Sequence, residues 1–291
     1  MIAIYSKTFD ERCAHVIRQL LTILAQAGTD VLLYQPLCDF LYTLPEPVRH
    51  ITGAFSENDD LDLKTRFLVS VGGDGTFLNS INFVRDSGIP VIGINIGRLG
   101  FLAHITEDDL QESVEKLLKG ELPVRERTLI HATIDGQPAD SFPYALNDIV
   151  IQKSTVGFIT VHAWSNDEFL NSYWADGLIV STPTGSSAYS LSVGGPIVAP
   201  DSQNFIISPI AAHNLNVRPL VIPDHVTLRL RAECRNHDRH FTLSLDSRSV
   251  KCAGGTEIEL KRAGFKVKIV KSASFYATLR NKLMWGADRR N

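Results

Sequence analysis

The sequence predicts an α/β domain followed by an all-β domain, closed by one terminal helix. Three observations carry that reading. Up to Lys119, short apolar runs alternate with stretches of helical spacing, the pattern of a parallel sheet covered on both faces. Near Pro123 the helical spacing disappears, and alternating apolar runs continue to about residue 271. From Phe275 to Trp285, Leu279 and Leu283 restore helical spacing. A lone helix after a β domain must dock somewhere, and the first domain is the candidate.

Residues 2 to 6 alternate as a first strand. Asp10 to Ala27 predicts a helix with Cys13, Val16, Ile17, Leu20, Leu21 and Leu24 on one face and Gly28 as its stop. Val31 to Tyr34 is a second strand. Residues 35 to 66 carry little pattern, with Pro45, Pro47 and the acidic run Glu57 to Asp60, and read as irregular with one short helix at most. Phe67 to Ser70 is a strand, Thr76 to Arg85 a helix, Ile89 to Asn95 a strand, and Glu107 to Lys119 a helix stopped by Gly120. Beyond Pro123 the runs are Leu129–Ile134, Ile149–Gln152, Phe158–Ala163, Val226–Arg231, Phe241–Leu245, Glu257–Leu260 and Lys266–Val270, with Asp135-Gly136 as a hairpin turn. The expected architecture is a Rossmann-like α/β domain over residues 1–122, completed by the helix of 272–291, and a β-sandwich-like domain over 123–271.

Composition sets bounds on function. The 291 residues suffice for two modest cores, and 44% hydrophobic with 21% charged residues is ordinary globular composition. A net charge of −3 argues against a nucleic-acid partner. No apolar stretch is long enough to span a membrane. Met1 to Tyr5 reads as a strand rather than a basic-headed signal peptide. Cys13, Cys38, Cys234 and Cys252 are scattered, as reduced thiols of a cytoplasmic protein would be.

The densest chemistry lies at Val71-Gly72-Gly73-Asp74-Gly75-Thr76, where a buried strand meets a helix. Glycines let backbone approach a ligand, and the helix start offers free amides and a positive dipole end to phosphate. A carboxylate in such a cradle repels phosphate unless it has a task. Asp74 is a candidate to hold a metal ion or to accept a proton from an attacking hydroxyl. The bland alternative is that Asp74 caps the helix. There is no GxxxxGK[ST] phosphate loop.

Two further stretches stand out. Asn147-Asp148 enters the strand Ile149-Val150-Ile151 and supplies donors and acceptors suited to an amide or a ribose, although taken alone the signal is weak and a strand-edge turn explains it better. The run Asp176 to Pro196 carries a strand into a turn dense in hydroxyls. Thr184, Ser186 and Ser187 could cap a helix there or face a ligand, with Tyr189 as a stacking ring. A structural turn does not need so many hydroxyls, which favours a site. Cys234, His237 and His240 have ligand-like spacing, but the surrounding charges suggest a solvated hairpin tip and no fourth ligand is evident.

With these residues laid out, the chain resembles the NAD kinase family, most closely the bacterial enzymes. The likeness runs through Gly72-Gly73-Asp74-Gly75-Thr76, Asn95 to Leu102, Asn147-Asp148, Asp176 to Pro196, Arg218-Pro219-Leu220 and Leu279 to Leu283. The glycine motif alone is shared with lipid kinases; its combination with the other stretches is specific. The resemblance implies an ATP-dependent kinase that phosphorylates the 2′-hydroxyl of the adenosine ribose of NAD, with magnesium or another divalent cation. Asp74 would be the general base. Gly72, Gly73, Gly75 and Thr76 would hold the phosphates of ATP. Asn147 and Asp148 would bind the sugar and adenine of the substrate, and Thr184, Ser187, Ala188, Tyr189 and Ser192 would line the dinucleotide pocket. Asp176 would meet the nicotinamide end from a neighbouring subunit of a homodimer or homotetramer, near Trp174, where some relatives carry arginine. The active site would lie between the two domains. Asp246-Ser247-Arg248 departs from a more usual Asp-Gly, which weakens any ligand role for Asp246. The competing readings are a lipid kinase, against which nothing here resembles a membrane-binding surface, and a nucleotide sensor without turnover, against which the intact Asp74 stands.

Overall fold

The structure is a computed structural model describing every residue except Pro47, Leu63, Arg98, Leu99, Val156, Leu215, 235–239, 272–273 and 287–291. Two compact units are present, Met1–Glu126 with Val267–Asn291, and Arg127–Lys266.

In the first unit β1 (Ile2–Tyr5), β2 (Val31–Tyr34), β3 (Gly53–Phe55), β4 (Phe67–Val71) and β5 (Val91–Ile94) form a parallel sheet in the order β3-β2-β1-β4-β5. The strands are short and apolar because both sheet faces are covered. Helix α1 (Glu11–Gln26) shows how the chain encodes this. The Asp10 carboxylate accepts the Cys13 amide at 2.7 Å as an N-cap, and Val16, Ile17, Leu20 and Leu24 are buried on one face. Helices α2 (Gln35–Tyr42), α3 (Asp74–Val84) and α4 (Leu110–Lys119) follow, and Gly120 ends α4 in the left-handed conformation.

In 35–66 the one short helix allowed by the sequence is α2, and the irregular reading of the rest is corrected by β3 and a 3₁₀ turn at Asn58–Asp60. β3 is only three residues long, too short to show a period. Helix α4 begins at Leu110 rather than Glu107. The strand order reverses direction between β1 and β4, and in open α/β sheets ligands bind outside the strand ends at such a point. The glycine loop follows β4.

In the second unit β6 (Val124–Ile134), β7 (Gln137–Pro138), β8 (Tyr144–Ala145), β9 (Asp148–Lys153), β10 (Ile159–Ser165), β11 (Glu168–Ala175) and β12 (Gly177–Ser181) precede a 3₁₀ turn (Gly185–Ser187) and the four-residue helix α5 (Tyr189–Ser192). Then come β13 (Asn204–Ile210), β14 (Leu220–Pro223), β15 (Leu228–Cys234), β16 (His240–Leu245), β17 (Arg248–Ala253) and β18 (Glu257–Val270). One antiparallel sheet has the order β14-β13-β12-β9-β16-β17; in the other, β10 lies between β11 and β15, and β18 pairs β15. The inner faces share one core, with Leu178, Val180, Phe205, Phe241 and Leu243 from the first sheet and Val161, Leu228, Leu230 and Leu260 from the second. That is the expected sandwich.

The runs 257–260 and 266–270 are one strand, and its end belongs to the first unit, where Ile269 pairs in parallel with Val91 of β5. Helix α6 (Phe275–Leu283) lies in the first unit as well, as expected. Among the described residues, no helix is long and apolar enough to cross a membrane.

Candidate active site

The site in the first unit starts where β4 ends. Gly72 takes φ 156°, and a Cβ there would stand 2.4 Å from the Thr76 hydroxyl oxygen, so only glycine fits. Gly73 precedes α3 in extended conformation. Asp74, Gly75 and Thr76 are therefore the first helical residues, and the unpaired amides of that turn face the loop. The structure refines the sequence reading, which placed Asp74 in the loop.

Nor is Asp74 a cap. Its carboxylate leaves its own helix and accepts the amides of Phe101 at 2.8 Å on Oδ2, and of Leu102 and Ala103 at 3.0 and 3.1 Å on Oδ1. Gly100 passes so close that a Cβ would lie 1.9 Å from Oδ1. Oδ1 thus has both acceptor directions filled, while Oδ2 retains one. The Lys282 ammonium stands 3.8 Å from Oδ2 and 4.3 Å from the centre of the Phe101 ring. Nearby His104 is pushed down to about 4, chiefly by burial and then by Lys271, so its imidazole is neutral at neutral pH.

The second unit holds the other predicted residues. The Asp246 carboxylate accepts three consecutive amides, Leu146 and Asn147 at 2.8 Å each and Asp148 at 3.2 Å. The Thr182 hydroxyl donates to the Leu146 carbonyl at 2.6 Å, and its amide donates to the Asn147 carbonyl at 2.9 Å. At Gly185 a Cβ would lie 2.0 Å from that same carbonyl oxygen. Asn147, Asp148 and the turn holding Thr184, Ser187 and Ala188 are therefore one construction. Asn147 Oδ1 is buried without a protein partner, as an atom awaiting a ligand donor would be. Burial, and secondarily Asp246, pushes the Asp148 carboxyl up to about 7.

The hydroxyl-rich turn is largely bonded to itself and its neighbours. Ser186 bonds the Pro183 and Val198 carbonyls, Ser190 pairs with Ser208, and Ser187 reaches the Thr184 carbonyl at 3.3 Å. Most of these hydroxyls build the turn, and Thr184 makes no side-chain cap bond. Tyr189 and Ser192 remain exposed on α5. Trp174 lies edge-on to Phe158 at 5.1 Å, and Asp176 accepts Lys153 at 2.6 Å, a partner the sequence did not suggest. In the Cys234, His237, His240 cluster, His237 lies outside the described residues.

The chain matches known proteins over most of its length. Residues 8–122 match the ATP-NAD kinase N-terminal domain, and residues 146–272 match the ATP-NAD kinase C-terminal domain. The chain belongs to the NAD kinase family. Family relatives include the NAD kinases of Cytophaga hutchinsonii, 41% identical with all of both chains covered, and of Christiangramia forsetii, 41% identical over all of this chain and 99% of the relative. The fold is also that of yeast NADH kinase complexed with NADH, with TM-score 0.86 and 23% identity over 100% of this chain and 89% of that one. An NAD kinase from Archaeoglobus fulgidus in complex with ATP gives 0.76 and 24%, covering 97% and 98%. Membership makes the chain a phosphotransferase that forms NADP from NAD and ATP.

Sequence reasoning missed Asp246, Lys282, Lys153 and the amides of 101–103. The available signals are the stretches Asn95 to Leu102 and Leu279 to Leu283, which carry the family resemblance without showing these roles, and Asp246 in its hairpin turn.

Proposed function

We propose that Asp74 takes the proton of the 2′-hydroxyl on the adenosine ribose of NAD, through Oδ2, as that oxygen attacks the γ-phosphorus of ATP. The observation that carries this is a carboxylate fixed by three amides, at the switch point of the sheet and the start of α3, with one acceptor direction left on Oδ2. Positioning is the protein's main task in phosphoryl transfer. The ribose O–P bond forms, the bond to the ADP oxygen breaks, and the proton moves to Asp74.

The Gly72-Gly73 turn and the α3 amides up to Thr76 are suited to the phosphates. A divalent cation fits as a companion of the triphosphate: Oδ2 is the one carboxylate atom of the cradle with room, and magnesium characteristically binds through substrate phosphates and few protein ligands. Bound there, it would neutralise charge on the phosphates. Asn147 and Asp148 hold sugar and adenine, the unpartnered Oδ1 of Asn147 accepting a ligand donor. Thr184, Ser187, Ala188, Tyr189 and Ser192 line the dinucleotide pocket. Trp174 and Asp176 serve the nicotinamide end in a homodimer or homotetramer, in the cytoplasm.

The test is purified protein with magnesium, NAD and either ATP or inorganic polyphosphate, monitored for NADP. We expect turnover with ATP. No NADP above a magnesium-free control with either donor would overturn the proposal.

A further inference from the structure

Helix α6 docks with Thr278 and Leu279 buried. Lys282 lies four and three residues further on, so it continues that docking face. The helix end is open to solvent there, with Leu283 37% exposed, and the Lys282 side chain, 30% exposed, lies along the surface beside Asp74. Favourable interaction with the helix C-terminus does not require this, because Arg280 in the same last turn already supplies positive charge there.

The position of the Lys282 ammonium is set by two neighbours, Asp74 and Phe101. At 3.8 Å from Asp74 Oδ2 the ammonium is outside hydrogen-bond distance, and the carboxylate is already held by three amides. Stacking over Phe101 at 4.3 Å keeps the ammonium in place without neutralising it. The neighbouring imidazole of His104 is uncharged at neutral pH, and among the described residues Lys282 is the cation within 4 Å of this carboxylate.

We propose that Lys282 is a catalytic residue that binds an oxygen of the transferring phosphoryl group. This rests on the reading of Asp74 as proton acceptor. A hydroxyl bonded to Oδ2 lies about 2.6–3.2 Å away, and the phosphorus it attacks about 3–3.5 Å beyond that. The phosphoryl oxygens then fall within about 7 Å of Oδ2, inside the sweep of a lysine side chain anchored where Lys282 is. The chemistry also requires a cation there. An anionic base beside an anionic phosphoryl group repels it, and a fixed ammonium removes that repulsion while stabilising the charge that develops on the phosphoryl oxygens. Lys282 stays protonated throughout, exchanging the vicinity of the carboxylate for a phosphoryl oxygen. The proton still goes to Asp74, and the leaving electron pair to ADP.

The test compares Lys282→Met, which keeps the stem over Phe101, with Lys282→Arg, in the full chain. For Lys282→Met we expect kcat to fall roughly 10²–10³-fold. ATP affinity, measured by calorimetry without NAD and hence without turnover, should fall about tenfold. NAD affinity should be unchanged and the melting temperature should stay within about 3 °C. Lys282→Arg should recover at least a decade of kcat. Unchanged kcat and ATP affinity in Lys282→Met would overturn the proposal. So would arginine performing no better than methionine with both variants melting lower, which marks a mere anchor for α6. Asp74→Asn run in parallel separates the readings: if it keeps full kcat while Lys282→Met loses both kcat and ATP affinity, the base assignment fails and the lysine–phosphoryl contact stands.

Discussion

Two carboxylates in this protein do the same thing in different settings. Asp74 accepts the amides of 101–103 in the first unit, and Asp246 accepts the amides of 146–148 in the second. In both, a side chain far away in sequence fastens three successive residues, and a glycine stands where a side chain would collide: Gly100 against Asp74, Gly185 against Asn147. The surroundings divide their roles. The Asp74 side chain is 29% exposed, next to a lysine and at the head of a helix. Asp246 sits in a hairpin turn with φ 52°, its carboxylate turned inward beside Asp148, and burial pushes its carboxyl up against the pull of the three amides and Arg248. Under the function proposed above, the same clamp presents an acceptor at one site and positions a binding segment at the other.

Asparagine at each position sharpens this contrast most. In either case an NH₂ group faces at least one amide, leaving a donor unsatisfied at a cost of about 1–3 kcal/mol. Both variants should therefore melt several degrees lower. Function should split. Asp74→Asn should lower kcat by roughly 10²–10⁴-fold with NAD affinity nearly unchanged, because the lost interaction belongs to the transition state. Asp246→Asn should weaken NAD about tenfold or more, with a smaller change in kcat. Calorimetry and steady-state kinetics on the two proteins check this; matching splits would erase the distinction. Near-normal kcat in a folded Asp74→Asn protein would remove Asp74 as the base.

A smaller effect is expected from the glycines. Gly100→Ala forces the 100–103 segment away from Asp74 and should lower kcat about tenfold, while Gly185→Ala displaces Asn147 and should raise the NAD dissociation constant by a similar factor. Forced contacts of this kind typically cost about 1–3 kcal/mol. Exchanged outcomes would show that the glycines do not serve the clamps beside them.

The sequence made the local halves of these clamps legible and hid the other halves. The glycines, Asp74 and α3 are adjacent, and periods of 3.6 and 2 need only neighbours. The hairpin at Asp135-Gly136 was readable for the same reason, and both residues take positive φ, at 47° and 78°. The partners of Asp74 lie 27 to 29 residues away, and those of Asp246 98 to 100. Nothing local encodes such distances. β13 is buried on both faces over most of its length, so it shows no alternation, and β3 is too short to have a period. The end of β18 looks like any edge of a β domain, although Ile269 pairs with the first sheet. The internal partners of the hydroxyls in the 182–190 turn are carbonyls and, for Ser190, the Ser208 hydroxyl, none of which a local pattern displays.

The finest test concerns the neighbour that Asp246 has and Asp74 lacks. Asp148 is buried beside a second carboxylate, and its carboxyl is pushed up to about 7, against an ordinary value of 3.8. A folded-state value raised above the unfolded one means that folding favours the protonated form. The associated stability is fully present below the unfolded value and is lost as pH rises through about 7. Asp148→Asn cannot ionise, so it escapes that loss. The stability difference between the two proteins should grow in the variant's favour from pH 5 to pH 8. Sharing of the proton with Asp246 spreads and reduces the effect, and we expect on the order of 2 kcal/mol over that range. Melting curves of both proteins at several pH values read it directly. Parallel curves from pH 5 to 8 would mean that Asp148 is ionised throughout and that the clamp at Asp246 tolerates a second negative charge beside it.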